Sequence, residues 1–237
     1  MKQFRPRLSE NEYAILQKLK QKGNRVLVIG DLHLPFELDG YFEFVKSQYH
    51  LNNCNKVVFI GDVIDNHFSS YHETFADGLG GGSELKFAKQ KLKKWYKQFP
   101  DATVIIGNHD RIIMRKAQTS AIPKEWIRDY KDVLGVPNWV WSECHEIDGV
   151  MYEHGEGGQA QIKAKNNLQS TVCGHYHSES YVKWFVGNRS KLFAMQVGCG
   201  IDKNSYAMAY GRNFKKPVIG CGIVIDGLLA YNILMDL

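Results

Sequence analysis

The chain has 237 residues, of which 44% are hydrophobic and 23% are charged, and its formal net charge is +5. This is the composition of an ordinary globular protein, and it excludes disorder, collagen and coiled coil as descriptions of the whole chain. The sequence contains no run of about 18 apolar residues, so we expect no membrane span and no membrane partner. The positive charge is compatible with an anionic substrate but is too small to indicate nucleic-acid binding by itself.

The organisation predicted for the chain is a single domain over residues 1–237, because no stretch has the composition of a linker. Residues 1–24 are expected to form an N-terminal helical extension packed on this domain, since Ser9 and Glu12 match a capping box and Gly23 is placed to end the helix. The five cysteines are scattered and form no CxxC pair, which predicts reduced thiols and a cytoplasmic location.

Three short apolar strands are predicted in the first half, over residues 25–29, 56–60 and 102–106, and each ends at a glycine. Both faces of these strands are apolar, which is typical of buried strands in a parallel sheet. A helix is predicted over residues 84–99, where apolar side chains recur every three or four positions. The alternation of strand and helix predicts a mostly parallel sheet in this half.

The pattern changes to short strands after Pro137. These are predicted over residues 150–153, 170–173, 191–197, 222–225 and 228–234, the last two joined by an Asp226-Gly227 turn. The glycine-rich segment 78–83 is predicted to be a mobile loop near the functional site. Residues 205–216 interleave aromatic and basic side chains, which leaves two interpretations: a surface for single-stranded nucleic acid or an ordinary packed loop.

Clusters of polar side chains follow the predicted strands. They are Asp31-Leu32-His33, Asp62-Val63-Ile64-Asp65 and Asn108-His109-Asp110 in the first half, then Glu153-His154-Gly155 and Gly174-His175-Tyr176-His177. Ligands of open α/β sheets bind beyond the carboxyl ends of the strands, so the first three clusters should converge in one crevice. Residues two apart in a strand or tight loop face the same side. Asp31 and His33 can therefore point at one centre, and so can His175 and His177.

The clusters supply more donors than one metal ion needs. The candidate ligands are Asp31, His33, Asp62, Asn108, His154, His175 and His177. Imidazole, carboxylate and amide groups without a thiolate suit Mn, Fe, Zn or similar ions. A pair of ions about 3.5–4 Å apart, bridged by one carboxylate, would use the whole set. Such a pair clamps a phosphate oxygen and activates a bound water as the nucleophile.

The five clusters, in this order between residues 30 and 177, resemble the signature of the calcineurin-like metallophosphoesterases. The resemblance implies an α/β fold, the αβ-sandwich of that family, in which two mixed sheets are flanked by helices. It also implies two divalent metal ions, with Mn as the favoured ion and Fe, Zn or Ni as alternatives.

The resemblance assigns a role to each matching residue. Asp31, His33 and His177 would hold the first ion, Asp62 would bridge, and Asn108, His154 and His175 would complete the second. His109 is similar to the imidazole that donates to the substrate phosphate or to the leaving oxygen in this family. Asp65 and Asp110 would hold the ring of His109, and the alternative for Asp65 is an ordinary loop carboxylate.

The sequence departs from the protein Ser/Thr phosphatase branch after the second cluster. That branch has Arg-Gly where this chain has Asn66-His67, which argues against a phosphoprotein substrate. Arg111 is a candidate to replace the missing arginine, and His67 is close enough in sequence to reach a substrate. The function predicted is hydrolysis of a phosphodiester in a nucleotide or nucleic acid. The alternatives are a phosphomonoesterase and a non-catalytic metal-binding scaffold.

Overall fold

The computed structural model describes Ser9 and residues 23–71, 76–207 and 216–236. The predicted N-terminal helix and most of the aromatic and basic segment, residues 208–215, lie outside the described residues. No helix in the described ranges is long and apolar enough to cross a membrane.

Five helices and two 3₁₀ turns occur among the described residues. The helices are α1 (Tyr41–Leu51), α2 (Gly81–Gln98), α3 (Ile112–Thr119), α4 (Tyr130–Leu134) and α5 (Ala160–Asn167), and the 3₁₀ turns are His67–Ser69 and Lys124–Trp126. The strands are β1 (Arg25–Ile29), β2 (Lys56–Phe59), β3 (Thr103–Ile105), β4 (Val140–Ser142), β5 (Cys144–Ile147), β6 (Val150–Glu153), β7 (Ser170–Cys173), β8 (Tyr181–Val186), β9 (Lys191–Gln196), β10 (Gly220–Ile225) and β11 (Leu229–Leu234).

The described strands form two mixed sheets. The first has the order β11-β10-β1-β2-β3-β4, in which β1 to β4 are parallel and β10 is antiparallel to both of its neighbours. The second has the order β5-β6-β7-β9-β8, with parallel central strands and antiparallel edges. The predicted sandwich of two mixed sheets flanked by helices is therefore confirmed, and the chain is a mixed α/β protein.

Strand β1 shows why the central strands are apolar on both faces. Val26 and Val28 belong to a buried cluster that joins the two sheets and includes Tyr152 of β6. Leu27 and Ile29, which point the other way, belong to a cluster beneath the helices of the first sheet. These four side chains are thus removed from water whichever face of the strand they occupy.

Helix α5 covers the outer face of the second sheet. Its Ala160 and Ala164 pack against Cys173 of β7 and Ala194 of β9, and all four side chains are fully buried. Small side chains allow the helix to lie close to the sheet. Helices therefore cover both outer faces, and the loops at the carboxyl ends of the parallel strands are left open at one edge.

Helix α2 begins three residues earlier than the sequence indicated. Gly80 is the N-cap residue in an extended conformation, and Glu84 N–H donates to its carbonyl oxygen over 2.9 Å. The interpretation of residues 78–83 as a mobile loop is therefore wrong for its last part, because residues 81–83 form the first helical turn. A helix can start at glycine when the following residues supply the apolar face that packs on the sheet.

Replacement of Trp95, in α2, is expected to lower the stability of the protein strongly. Its side chain is completely buried, and its indole Nε1–H donates to Glu37 Oε2 over 2.7 Å. Trp95→Ala should lower the free energy of unfolding by about 3–5 kcal/mol, measured by urea titration. Trp126 is 81% exposed, so Trp126→Ala should change stability by no more than about 0.5 kcal/mol. Similar losses in the two variants would contradict this account of the core.

Candidate metal centre

The loops that follow β1, β2 and β3 of the first sheet meet the loops that follow β6 and β7 of the second. They bring together all seven predicted ligands, Asp31, His33, Asp62, Asn108, His154, His175 and His177. Four of the seven are buried and three are half-buried. The half-buried residues are Asn108, His175 and His177. The cluster is therefore anchored in the interior and open to solvent on one side.

Asp31, His33 and His177 form the first ligand group, with ligand atoms that lie within 4.8 Å of one another. His177 Nε2 lies 3.0 Å from Asp31 Oδ2 and 3.1 Å from His33 Nε2. His33 Nδ1 lies 2.6 Å from Asp65 Oδ1, so Nδ1 carries the proton and donates it to the carboxylate. The lone pair of His33 Nε2 consequently faces the centre of the group, as a metal ligand requires.

Asp62, His154 and His175 form the second ligand group. His154 Nδ1 lies 2.9 Å from the carbonyl oxygen of Ile60, and this contact places the proton on Nδ1. The lone pair of His154 Nε2 then faces Asp62 Oδ2 at 3.1 Å and Asn108 Oδ1 at 2.9 Å. Acceptor atoms that converge in this way need a positive charge among them, supplied either by a proton on Nε2 or by a metal ion.

Asp62 joins the two groups. Its Oδ2, beside His154, also lies 3.7 Å from His33 Nε2 of the first group. Its other oxygen, Oδ1, accepts the backbone N–H of His109 over 2.8 Å. One carboxylate oxygen is therefore directed at both ligand groups while the second oxygen holds the loop that follows β3.

The electrostatics of the cluster favour bound cations. Burial works against charge on the ring of His154, but the carboxylates of Asp62 and Asp31 outweigh it and raise the pKa of His154 to about 10. The Oδ1 atom of Asp31 is buried and has no hydrogen-bond partner within the described part of the chain. Imidazole, carboxylate and amide donors of this kind fit divalent ions such as Mn, Fe or Zn, and the residues are compatible with a centre of two such ions.

The close packing of neighbouring loops explains why glycines precede several of the candidate ligands. A Cβ atom at Gly107 would overlap the carboxylate of Asp62, and one at Gly174 would overlap the carboxylate of Asp31. The ligands Asp62 (φ 49) and His175 (φ 71) themselves adopt the left-handed region, which is uncommon for residues with a side chain. Tight turns with a close approach of the neighbouring loop bring the carboxylates and imidazoles together.

His109 lies against the ligand groups, and its ring is held from two sides. Its Nδ1 lies 2.8 Å from the carbonyl oxygen of Asp65 and 3.3 Å from Asp65 Oδ1. Asn66 Nδ2–H donates to the carbonyl oxygen of His109 over 2.9 Å. Burial opposes charge on the ring, but Asp62 and Asp65 outweigh it and raise the pKa of His109 to about 10. Two bound cations would lower this pKa toward neutrality, where an imidazolium is an effective proton donor.

Asp65 and Asp110 have different surroundings. The carboxylate of Asp65 contacts both His33 and His109, so it orients one metal-ligand candidate as well as the ring that it was predicted to hold. The carboxylate of Asp110 accepts the backbone N–H groups of Ile64 and Gly107, over 3.1 Å and 2.9 Å. Its hydrogen bonds therefore brace the loops that follow β2 and β3, and neither of them goes to the ring of His109.

The two candidate substrate contacts also differ. The guanidinium of Arg111 is paired with the carboxylates of Glu143 and Glu156, so its charge is already balanced by two acidic groups. The side chain of His67 is buried, with Nδ1 3.8 Å from Asp65 Oδ2 and its ring centroid 5.3 Å from that of Tyr206. His67 therefore lies beside the residue that orients His33 and His109.

Two residues that support the site were missed in the sequence. Asn66, seen there only as a departure from a family pattern, anchors His109, and its φ of 54 allows the turn that follows. Glu84 of α2 is 2% exposed and accepts the backbone N–H groups of His67 and Phe68, over 2.8 Å and 3.2 Å. An acidic residue in a first helical turn is ordinary, so its sequence context gave no signal for Glu84.

Glu84 gives a prediction about pH. Burial, followed by the nearby charge of Asp65, raises the pKa of Glu84 from 4.5 to about 7. The protonated carboxyl therefore stabilises the fold fully below about pH 4.5, and this contribution is lost as the pH rises through about 7. In urea titrations, the stability of the wild type relative to Glu84→Gln should fall across this window. A stability difference between the two proteins that does not change with pH would contradict the raised pKa of Glu84. The control is Glu125→Gln, because Glu125 is exposed.

Two face-to-face sheets with carboxylate and imidazole ligands at the ends of their strands define the metallophosphoesterase class. The chain belongs to the calcineurin-like phosphoesterase family, whose model matches residues 24–179. No curated protein matches the chain.

Solved structures similar to the chain include Vps29 proteins from three organisms. Vacuolar Protein Sorting 29 from Cryptosporidium parvum is 15% identical, with a TM-score of 0.44 over 91% of this chain and 98% of that one. A Vps29 single mutant from Entamoeba histolytica is 14% identical, with a TM-score of 0.40 over 90% and 99%. Vps29 from Chaetomium thermophilum is 10% identical, with a TM-score of 0.41 over 91% and 96%.

Proposed function

We propose that the protein is a dimetal-dependent phosphodiesterase or nuclease that hydrolyses a phosphodiester bond in a nucleotide or nucleic acid. The observation that carries this proposal is the position of Asp62, which has one oxygen directed at both ligand groups and the other bonded to His109 N–H. The cofactor would be two divalent ions, with Mn favoured and Fe, Zn or Ni as alternatives. The proposed ligands are Asp31, His33, Asp62, Asn108, His154, His175 and His177.

The side chains around the ions have separate tasks in this proposal. When bound, the two ions would activate a water and stabilise the negative charge that develops on the phosphate oxygens. Asp65 holds the Nδ1–H of His33 and so keeps Nε2 of that ring directed at the ligand group. His109, fixed by Asp65 and Asn66, supplies the proton that the leaving oxygen needs.

The replacement of Arg-Gly after Asp65 and the pairing of Arg111 with two carboxylates favour a diester over a monoester. A phosphomonoester carries more negative charge at neutral pH than a diester, and sites that bind it commonly add arginine or lysine. Here Asn66-His67 replaces the Arg-Gly of the phosphoprotein phosphatases, and Arg111 is paired with Glu143 and Glu156. A phosphomonoesterase remains the alternative activity.

The test is hydrolysis of bis(p-nitrophenyl) phosphate beside p-nitrophenyl phosphate by metal-stripped protein, before and after Mn is added. We expect turnover only with metal and a higher kcat/KM for the diester. A preference for the monoester would favour the phosphomonoesterase. Two bound ions without turnover of either ester would favour a metal-binding scaffold, and no bound ions would contradict the proposal at its base. Parallel loading with Fe, Zn and Ni identifies the best ion.

A further inference from the structure

A cavity of about 410 Å³ lies next to the metal centre, on the side of the helices that cover the first sheet. It is enclosed by the 3₁₀ turn after β2, the first turn of α2, and helices α3 and α4. Its apolar wall includes Phe68, Leu85, Ile113 and Val133. The volume is within the range of roughly 300–1,000 Å³ that small-molecule sites occupy.

The cavity borders the segment that carries His109. Asn66 and Asp110 line it, and Asn66 is the residue whose Nδ2–H donates to the carbonyl oxygen of His109. Phe68 and Ile113 are 37% and 38% exposed, so the cavity opens to solvent between the 3₁₀ turn and α3. The cavity therefore borders the residue that anchors His109, whose ring lies against the ligand groups.

Cationic side chains lie at the cavity wall and along α3. Arg128 lines the cavity, and Arg115 and Lys116 follow its wall residues along α3. The guanidinium of Arg115 lies 5.0 Å from the ring centroid of Tyr71, and Lys116 Nζ lies 5.2 Å from it. An apolar, partly aromatic wall with a cationic rim is complementary to a planar aromatic group that carries phosphate.

We propose that this cavity binds the nucleobase of a nucleotide phosphodiester whose phosphate lies at the metal centre. The inference rests on the proposed function and narrows it to substrates with a base next to the scissile phosphate. The apolar wall would stack on the base, and the cations at the rim would attract the charged backbone.

Binding of 2-aminopurine riboside to the metal-stripped protein tests the cavity without any hydrolysis. We expect saturable quenching of its fluorescence that excess adenosine reverses and excess ribose does not. Ile113→Trp would fill the opening and should weaken binding by about tenfold or more. The matched control is Ile162→Trp, on α5, where Ile162 is 48% exposed, and it should bind like the wild type. Absence of saturable quenching, or equal binding by both variants, would overturn the inference.

A second variant guards against a folding defect in the first. Gly82 lines the cavity, and a Cβ atom there would meet nothing within 4 Å. Gly82→Leu therefore introduces a side chain into open space at a helical position, where leucine is favoured over glycine. It should also weaken binding of the riboside, and unchanged binding by both cavity variants would count against the cavity.

Kinetics separate this inference from the proposed function. With Mn-loaded wild type, KM for thymidine 5′-(p-nitrophenyl phosphate) should be about tenfold or more below KM for methyl p-nitrophenyl phosphate. Hydrolysis of both esters with equal KM would overturn the base site and leave the phosphodiesterase standing. Binding of the riboside that Ile113→Trp abolishes, in a protein that hydrolyses no ester, would support the base site and overturn the proposed activity.

Discussion

Replacement of Asp62 by alanine should remove both metal ions and lower ester hydrolysis by at least about 100- to 1,000-fold. Asp62 Oδ2 is directed at both ligand groups, and Asp62 Oδ1 accepts the backbone N–H of His109. Its loss leaves each ligand group with less negative charge, and it frees the loop that positions His109, the proposed proton donor. We therefore expect a single substitution to affect both ions.

Metal content measured by plasma mass spectrometry, together with hydrolysis of bis(p-nitrophenyl) phosphate, checks this result. The backbone of Asp62 has a φ of 49, which alanine tolerates poorly, so Asp62→Asn is the companion variant that suits the conformation. The exposed Asp101→Ala is the control. Loss of one ion with full retention of the other in both Asp62 variants would exclude the bridging role.

Replacement of His109 by alanine should leave the metal content unchanged and lower kcat by about 100- to 10,000-fold on a diester with a poor leaving group. The ring contacts Asp65 through Nδ1 and is fixed by Asn66 through the backbone. A ring nitrogen of His109 also lies within 4.8 Å of ligand atoms of His33 and Asp62, but the groups Asp31-His33-His177 and Asp62-His154-His175 are each complete without it. The variant therefore separates proton donation from metal binding.

The leaving group gives the diagnostic comparison for His109. A nitrophenolate departs without a proton, so the loss of rate on bis(p-nitrophenyl) phosphate should be much smaller than on an alkyl diester. His50, at the end of α1, is exposed, and His50→Ala should match the wild type on both. An equal loss on both esters, or a full rate on the alkyl diester, would show that His109 does not act as the acid.

Much of the fold follows from local patterns in the sequence. Strands β1, β6 and β7 have the predicted bounds, because short runs rich in apolar residues between polar turns mark where a strand begins and ends. The turn at Asp226-Gly227 has the positive φ values, 52 and 66, that a tight hairpin needs. These features depend on neighbours in the chain, which is why they can be predicted from a single sequence.

Elements that depend on distant partners were not predicted. Strands β4, β5 and β8 are edge strands with exposed or half-buried side chains, so none of them has a fully buried apolar face. Helix α4 has five residues and α3 has eight, too few for a strong helical period. In the site, Glu84 meets His67 only because α2 packs beside the loop after β2. Contacts of this kind are decided by tertiary packing.

The candidate ligands come from two different sheets. Asp31, Asp62 and Asn108 follow strands of the first sheet, whereas His154 and His175 follow strands of the second. Ions bound between these residues would link the two sheets, in addition to the apolar contacts that join them in the core. Binding free energy would then add to folding free energy, so chelation should lower the melting temperature and thermal unfolding should release both ions together. The two ions proposed to take part in catalysis would therefore also stabilise the packing of one sheet on the other.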